Sequence, residues 1–108
     1  MPKKSLAALA REHLERAHQS RNGRSATTIV GGHERSLRQT LLALTEGTSL
    51  GEHDGPGEGT VQVLSGRVRL RAGEDEWDGR DGDLIVLPTA RHDLRALKDS
   101  VVLLTVAT

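Results

Sequence analysis

The stretch GTSLGEHDGPGEG, Gly47 to Gly59, puts one histidine among three acids and five glycines, between two segments that read as strands. Gly47 ends the upstream strand, and the glycines leave His53 in a connection rather than in a regular element. A neutral imidazole nitrogen is a natural donor to zinc, nickel, copper or iron, but one histidine holds no metal. Partners must come from elsewhere in the chain. His92 follows a strand and the turn Pro88-Thr89-Ala90-Arg91, so both histidines fall near strand ends, where a barrel could bring them together, although spacing alone does not show that it does.

Working outward, Leu37 to Thr45 is long enough for a central strand, although its residues alone are also compatible with a helix. Ala26 to Val30 is β-prone and is followed by the turn signal Gly31-Gly32. Downstream, Thr60 to Leu64, Arg67 to Arg71, Asp83 to Leu87 and Val101 to Val106 are strand candidates. They are separated by Ser65-Gly66, by the polar Ala72 to Gly82 and by Pro88 to Ser100. Short strands at this spacing with glycine-rich turns predict an all-β sandwich or barrel. Leu84 to Leu87 and Val101 to Leu104 are apolar on both faces, so something must cover their outer side. The candidates are a helix from this chain or a second subunit. Ser5 caps a helix whose Leu6, Leu9, Ala10, His13, Leu14 and Ala17 form one stripe, and the polar run Gln19 to Ser25 is its linker. The expected organisation is therefore residues 1–25 as helix and linker, and residues 26–108 as the β-barrel domain.

Composition narrows the function classes. A chain of 108 residues builds one modest core, and with no cysteine it has no disulfide, thiolate nucleophile or sulfur-ligated metal. Zero formal charge and Trp77 as the only aromatic residue argue against nucleic-acid binding. No apolar run approaches the roughly 20 residues that span a bilayer, which leads to the expectation of a cytoplasmic protein with no membrane partner.

The chain resembles a small single-domain cupin. Gly47, His53 and Gly66 match landmarks of the first cupin motif, and Gly82 and Pro88 match the second, with Ala90 at a glycine position and His92 one residue early. The resemblance covers residues 37–106 and implies a double-stranded β-helix barrel, or jelly roll. It also implies a metal site of three histidines and a glutamate or glutamine, and carrying those positions over yields His53, Gly55, Gly59 and His92. Two of the four are glycines. Glu58, beside the glutamate position, and Asp54 and Glu52, beside His53, are the acids that would have to compensate. Glu58 reaches inward only if the Gly57-Glu58-Gly59 loop departs from strand geometry.

Other candidates carry less chemistry. His13 and His18 are five apart and diverge around a helix, so they do not form the four-residue pair of a helical metal site. His33 sits in a strand connection, and the acidic stretch Glu74 to Asp83 lacks the alternating ligand spacing of a calcium loop. Arg67, Arg69 and Arg71 alternate with Val68 and Leu70, which already supply a core face, so the arginines go to solvent. Ser49, Ser65 and Ser100 have no base at a recognisable position.

The expectation is a cupin-like barrel with a short N-terminal α-helix, a homodimer, holding a small organic ligand in a pocket lined by Leu41, Ala43, Val61, Val63, Val86 and Leu104. His53 and His92 are its polar groups, and few polar groups in an apolar concavity is the general form of a small-molecule site. The sequence leaves enzyme and binding protein both open. The alternative is a metal-dependent enzyme (a dioxygenase, isomerase or sugar-modifying cupin) in which His53, His92 and Glu58 hold divalent zinc, nickel, manganese or iron. Metal-free acid/base chemistry by two histidines, and a partner protein with a silent pocket, are further classes.

Overall fold

The computed structural model describes residues 3–52, 54 and 57–108. The described residues form one helix, α1 (Leu6–Gln19), and eight strands: β1 (Arg24–Val30), β2 (Leu37–Leu44), β3 (Gly59–Ser65), β4 (Arg67–Ala72), β5 (Asp75–Arg80), β6 (Leu84–Val86), β7 (Asp93–Ala96) and β8 (Ser100–Ala107). The strands pair antiparallel in two sheets, β1-β2-β8-β3-β6 and β5-β4-β7. The residues before Leu50 lengthen the smaller sheet: Gly47 N–H donates to Ala96 O, Ala96 N–H to Thr48 O and Leu50 N–H to Leu94 O, all within 3.0 Å. The histidine loop therefore starts from an anchored edge. Among the described residues no helix is long and apolar enough to cross a membrane.

Alternation along the strands divides the apolar residues into two cores. The inner one lies between the sheets and includes Leu42, Leu44, Val61, Val63, Val68, Leu70, Leu94 and Val102. The outer one lies under α1, where Leu6, Leu9, Ala10, Leu14 and Ala17 pack on Leu41, Ala43, Val101, Ile29 and Leu64. The Ser5 hydroxyl caps the helix by accepting the Ala8 N–H at 3.2 Å. His13 is buried with Nδ1 2.7 Å from Ser25 Oγ on β1, which seats the polar member of the stripe without an orphan nitrogen. At the far end of α1, His18 Nε2 lies 2.7 Å from Asp99 Oδ2, and Asp99 Oδ1 accepts the Glu46 N–H at 2.9 Å.

Two strands occupy stretches that the sequence reads as connections. β5 lies within Ala72 to Gly82 and β7 within Pro88 to Ser100. β5 carries no apolar alternation because it is an edge strand held by charge. The register sets Arg69 opposite Asp78 and Arg71 opposite Glu76, and Arg69 Nε donates to Asp78 Oδ1 at 2.8 Å. That hydrogen bond holds the Asp78 carboxyl below the usual carboxylate range. β7 alternates correctly, with Leu94 and Ala96 buried, but four residues are too few to stand out against a long polar background.

The tightest junction is the β3–β4 turn. Gly66 has φ +99°, and a Cβ there would run into Ser100 Oγ and Asp99 O. Ser100 is fully buried, with its hydroxyl accepting the Arg67 N–H at 2.9 Å and lying 2.7 Å from Lys98 O. Gly66→Ala combines a positive φ with that collision, and it lowers the unfolding free energy in urea titrations by more than about 1 kcal/mol. A second test uses pH. The Glu46 N–H, followed by the His18 hydrogen bond, holds the Asp99 carboxyl below its ordinary range. A lowered folded-state value means stability that is present above the unfolded-state value and lost as pH falls through the folded one. Wild type should therefore melt above Asp99→Asn at pH 7, and the gap should close as the pH drops below about 4.

Candidate functional site

Between the sheets lies a cavity of about 260 Å³. Leu42 (β2), Val102, Leu104 and Val106 (β8) and Val61 (β3) form one wall. Leu70 (β4) and Leu94 (β7) form the other, with Leu50, Leu87 and His92 completing the lining. Among the described lining residues, His92 is the one whose side chain carries a polar group. It is 2% exposed, and its Nδ1 is 3.0 Å from Ala90 O. A carbonyl oxygen only accepts, so Nδ1 carries a proton and donates it to Ala90 O.

The one-residue displacement of His92 from the cupin pattern is what strand parity requires. His92 and Leu94 share the cavity side, whereas Asp93 and Arg95 face the outer side of the small sheet, where Ser49 Oγ donates to Asp93 Oδ2. On that outer side a larger groove of about 600 Å³ is lined by Arg69, Arg71 and Arg95 together with Glu46, Glu76 and Asp93. Its charges balance on a solvated face, and we assign it no chemistry.

The residues expected at the pocket divide as follows. Val61, Leu104 and His92 line the cavity. Val63 is buried in the same inner core but is not part of the cavity wall. Leu41 and Ala43 point the other way, into the outer core under α1. Val86 is 74% exposed on the outer face of β6. The correction for Leu41 and Ala43 has one cause: Leu41 to Leu44 is apolar on both faces, so composition leaves its parity open. Pairing of Leu42 with Val102 across β2 and β8 sets the even positions inward. For Val86, the pairing of Val61 with Ile85 turns Ile85 inward and its neighbours outward. The wall residues Leu42, Leu50, Leu70, Leu87, Leu94, Val102 and Val106 were not expected there. For Leu70 and Leu94 the signal was present in their alternation with charged neighbours.

The donor set for a metal is sparse. His53 and Gly55 lie outside the described residues. Glu58 is exposed. The acids flanking His53 turn to Arg91, with Glu52 Oε2 3.4 Å from Nε and Asp54 Oδ1 3.7 Å from a terminal nitrogen. Among the described residues no group of three histidines or carboxylates comes together. Transition-metal sites use about three or more protein ligands, so the described residues do not by themselves complete one, and no chemical step is derived through a metal.

No family model matches the chain, and no curated protein does. Solved structures do match. A cupin superfamily protein from Desulfitobacterium hafniense superposes with a TM-score of 0.78 over 99% of this chain and 94% of its own, at 16% identity. The fold is that of a small cupin. The same cupin barrel matches a conserved protein of unknown function from Streptococcus pyogenes, with a TM-score of 0.72, 27% identity and coverage of 82% of this chain and 77% of that one. It also matches salicylate 1,2-dioxygenase from Pseudoaminobacter salicylatoxidans in complex with gentisate, with a TM-score of 0.78 and 16% identity. That match covers 93% of this chain and 32% of the dioxygenase. These likenesses carry the fold of this chain and leave its chemistry to its own residues.

Proposed function

We propose that this cupin binds a small, largely apolar organic molecule in its barrel, with His92 as the group that orients it. The observation that carries this reading is a cavity of about 260 Å³ walled by leucine and valine with one buried histidine. An apolar cavity of about 150 Å³ holds benzene, so this volume admits a substituted ring or branched chain of about ten heavy atoms. His92, held by its Nδ1–H to Ala90 O, is the polar side chain that the described lining offers a ligand. No reaction is assigned.

A library of small aromatic and branched acids and alcohols, screened by thermal shift, tests this. A binder at 100 times its Kd adds about 2.7 kcal/mol of stability and raises the melting temperature. Leu104→Trp, which fills the cavity, should abolish the shift. If no compound shifts the melting temperature, the pocket is silent and the partner-protein reading takes its place.

The competing reading is a metal-dependent cupin enzyme using His53, His92 and Glu58. In its favour, the Nδ1–H to Ala90 O bond is the arrangement by which metal-ligating histidines are oriented, and one structural neighbour is named as a dioxygenase. Against it stand the exposed Glu58 and the engagement of Glu52 and Asp54 with Arg91. Elemental analysis of untagged protein separates the readings. Our proposal expects no stoichiometric zinc, nickel, manganese or iron. A stoichiometric metal that disappears in the His53→Ala, His92→Ala double variant would overturn it.

A further inference from the structure

No reaction is assigned to the groove on the outer side of the small sheet, but its charges balance only in total. Pairing of β4 with β5 and β7 lays two rows of side chains across it. In one row Glu76, Arg71 and Asp93 follow one another, so the cation stands between two acids. In the next row the order is Asp78, Arg69, Arg95 and Ser49. Arg69 and Arg95 are directly opposite each other across the β4–β7 ladder. Like charges in that relation destabilise a sheet unless something offsets them.

The acids on β5 offset one of the two. Arg69 Nε and a terminal nitrogen donate to the two Asp78 oxygens at 2.8 and 3.1 Å, and Glu76 Oε2 lies 3.5 Å from Nε. Arg67 also reaches Asp78, and Arg71 reaches Glu76. Of the arginines on β4 and β7, Arg95 is the one that makes no ion pair among the described residues, and it is exposed on the groove. Asp93, next but one on the same strand and the same face, does not serve it. Its Oδ2 accepts the Ser49 hydroxyl, and its Oδ1 is buried with no hydrogen-bond partner.

We propose that this groove binds a small hydrophilic monocarboxylate, with Arg95 as the fork that takes the carboxylate and Arg69 as the positive group beside it. The guanidinium of Arg95 presents a planar set of N–H donors whose spacing matches the two oxygens of a carboxylate. The local surplus is one charge, and that selects a monoanion: Glu46 and Glu76 line the same groove and oppose a second negative charge on the ligand. The body of the ligand is polar, because apart from Gly47, Ala96 and Leu97 the lining is charged or carries a hydroxyl. A hydroxy acid suits this face, whereas the apolar molecule proposed for the barrel does not. Strand parity keeps the two sites apart, since His92 and Leu94 face the cavity while Asp93 and Arg95 face the groove.

Titration of the full chain with sodium gluconate at constant ionic strength, followed by the amide shifts in proton–nitrogen NMR spectra, tests this. Sorbitol is the neutral polyol control, and citrate supplies the trianion. Gluconate is expected to move the amides of Ser49, Arg69 and Arg95 saturably, with a Kd in the millimolar range, so the titration runs to about 50 mM. Sorbitol should leave them in place, and citrate should bind more weakly than gluconate. Arg95→Gln is expected to weaken gluconate binding at least about tenfold while melting no lower than wild type, because it also removes the like-charge pair. Arg95→Lys, which keeps the charge and loses the fork, should fall between the two. Arg91→Gln, at an exposed arginine outside the groove, should bind like wild type. The proposal is overturned by no saturable response to gluconate, by an equal response to sorbitol, or by tighter binding of citrate. Shifts confined to barrel residues such as Leu42 and Val102 overturn it as well, as does an Arg95→Gln variant that binds like wild type or loses no more than Arg91→Gln does.

Discussion

Strand β8 is buried on both faces, and the rest of the molecule is arranged to make that possible. Its Val102, Leu104 and Val106 line the inner cavity, while Val101 packs outward under α1. It lies at the centre of the large sheet, hydrogen-bonded to β2 on one side and β3 on the other. Each fully buried leucine or valine contributes about 1.5–3 kcal/mol, so a strand that fills two cores at once is the largest apolar asset of a small chain. The small sheet closes the inner core and the helix closes the outer one.

The two sheets then solve different problems. The large sheet is apolar inside and is relieved outside by a helix over β1, β2 and β8. The small sheet needs no such cover because its outer face is a charge ladder, Asp78 with Arg69 and Glu76 with Arg71, exposed to solvent and held by cross-strand pairing. The helix itself is tied at its C-terminal end through His18 and Asp99 to the Glu46 backbone, just before the chain enters the histidine loop. The same carboxylate thus links the helical layer to the strand end from which that loop departs.

At the positions where the cupin resemblance implies ligand side chains, this chain has glycine at 55 and 59, and the acids Glu52, Asp54 and Glu58 are exposed or turned to Arg91. Among the described residues the cavity wall is otherwise aliphatic, with the His92 ring held by its Nδ1–H to Ala90 O. On our proposal, this apolar chamber selects ligands by shape and by polar contact to His92.

Much of the fold was legible in the sequence because two physical signals are local. The Ser5 cap and the three-and-four spacing of Leu6 to Ala17 specify the helix, and apolar runs bounded by glycine specify β1, β2, β3, β4, β6 and β8. Spacing also put His92 near a strand end, but that its side chain lines the cavity is seen only in the fold. The remainder depended on pairing. β5 has no apolar periodicity of its own and exists as a strand because Arg67, Arg69 and Arg71 are there to meet it. Leu41 and Leu42 are chemically the same residue, and only the register of β2 against β8 sends one to the helix and the other to the cavity. The sequence by itself determined which segments are apolar enough to be buried. Which face of each is inside was decided by tertiary structure, because in a strand that choice turns on a one-residue register that no single segment contains.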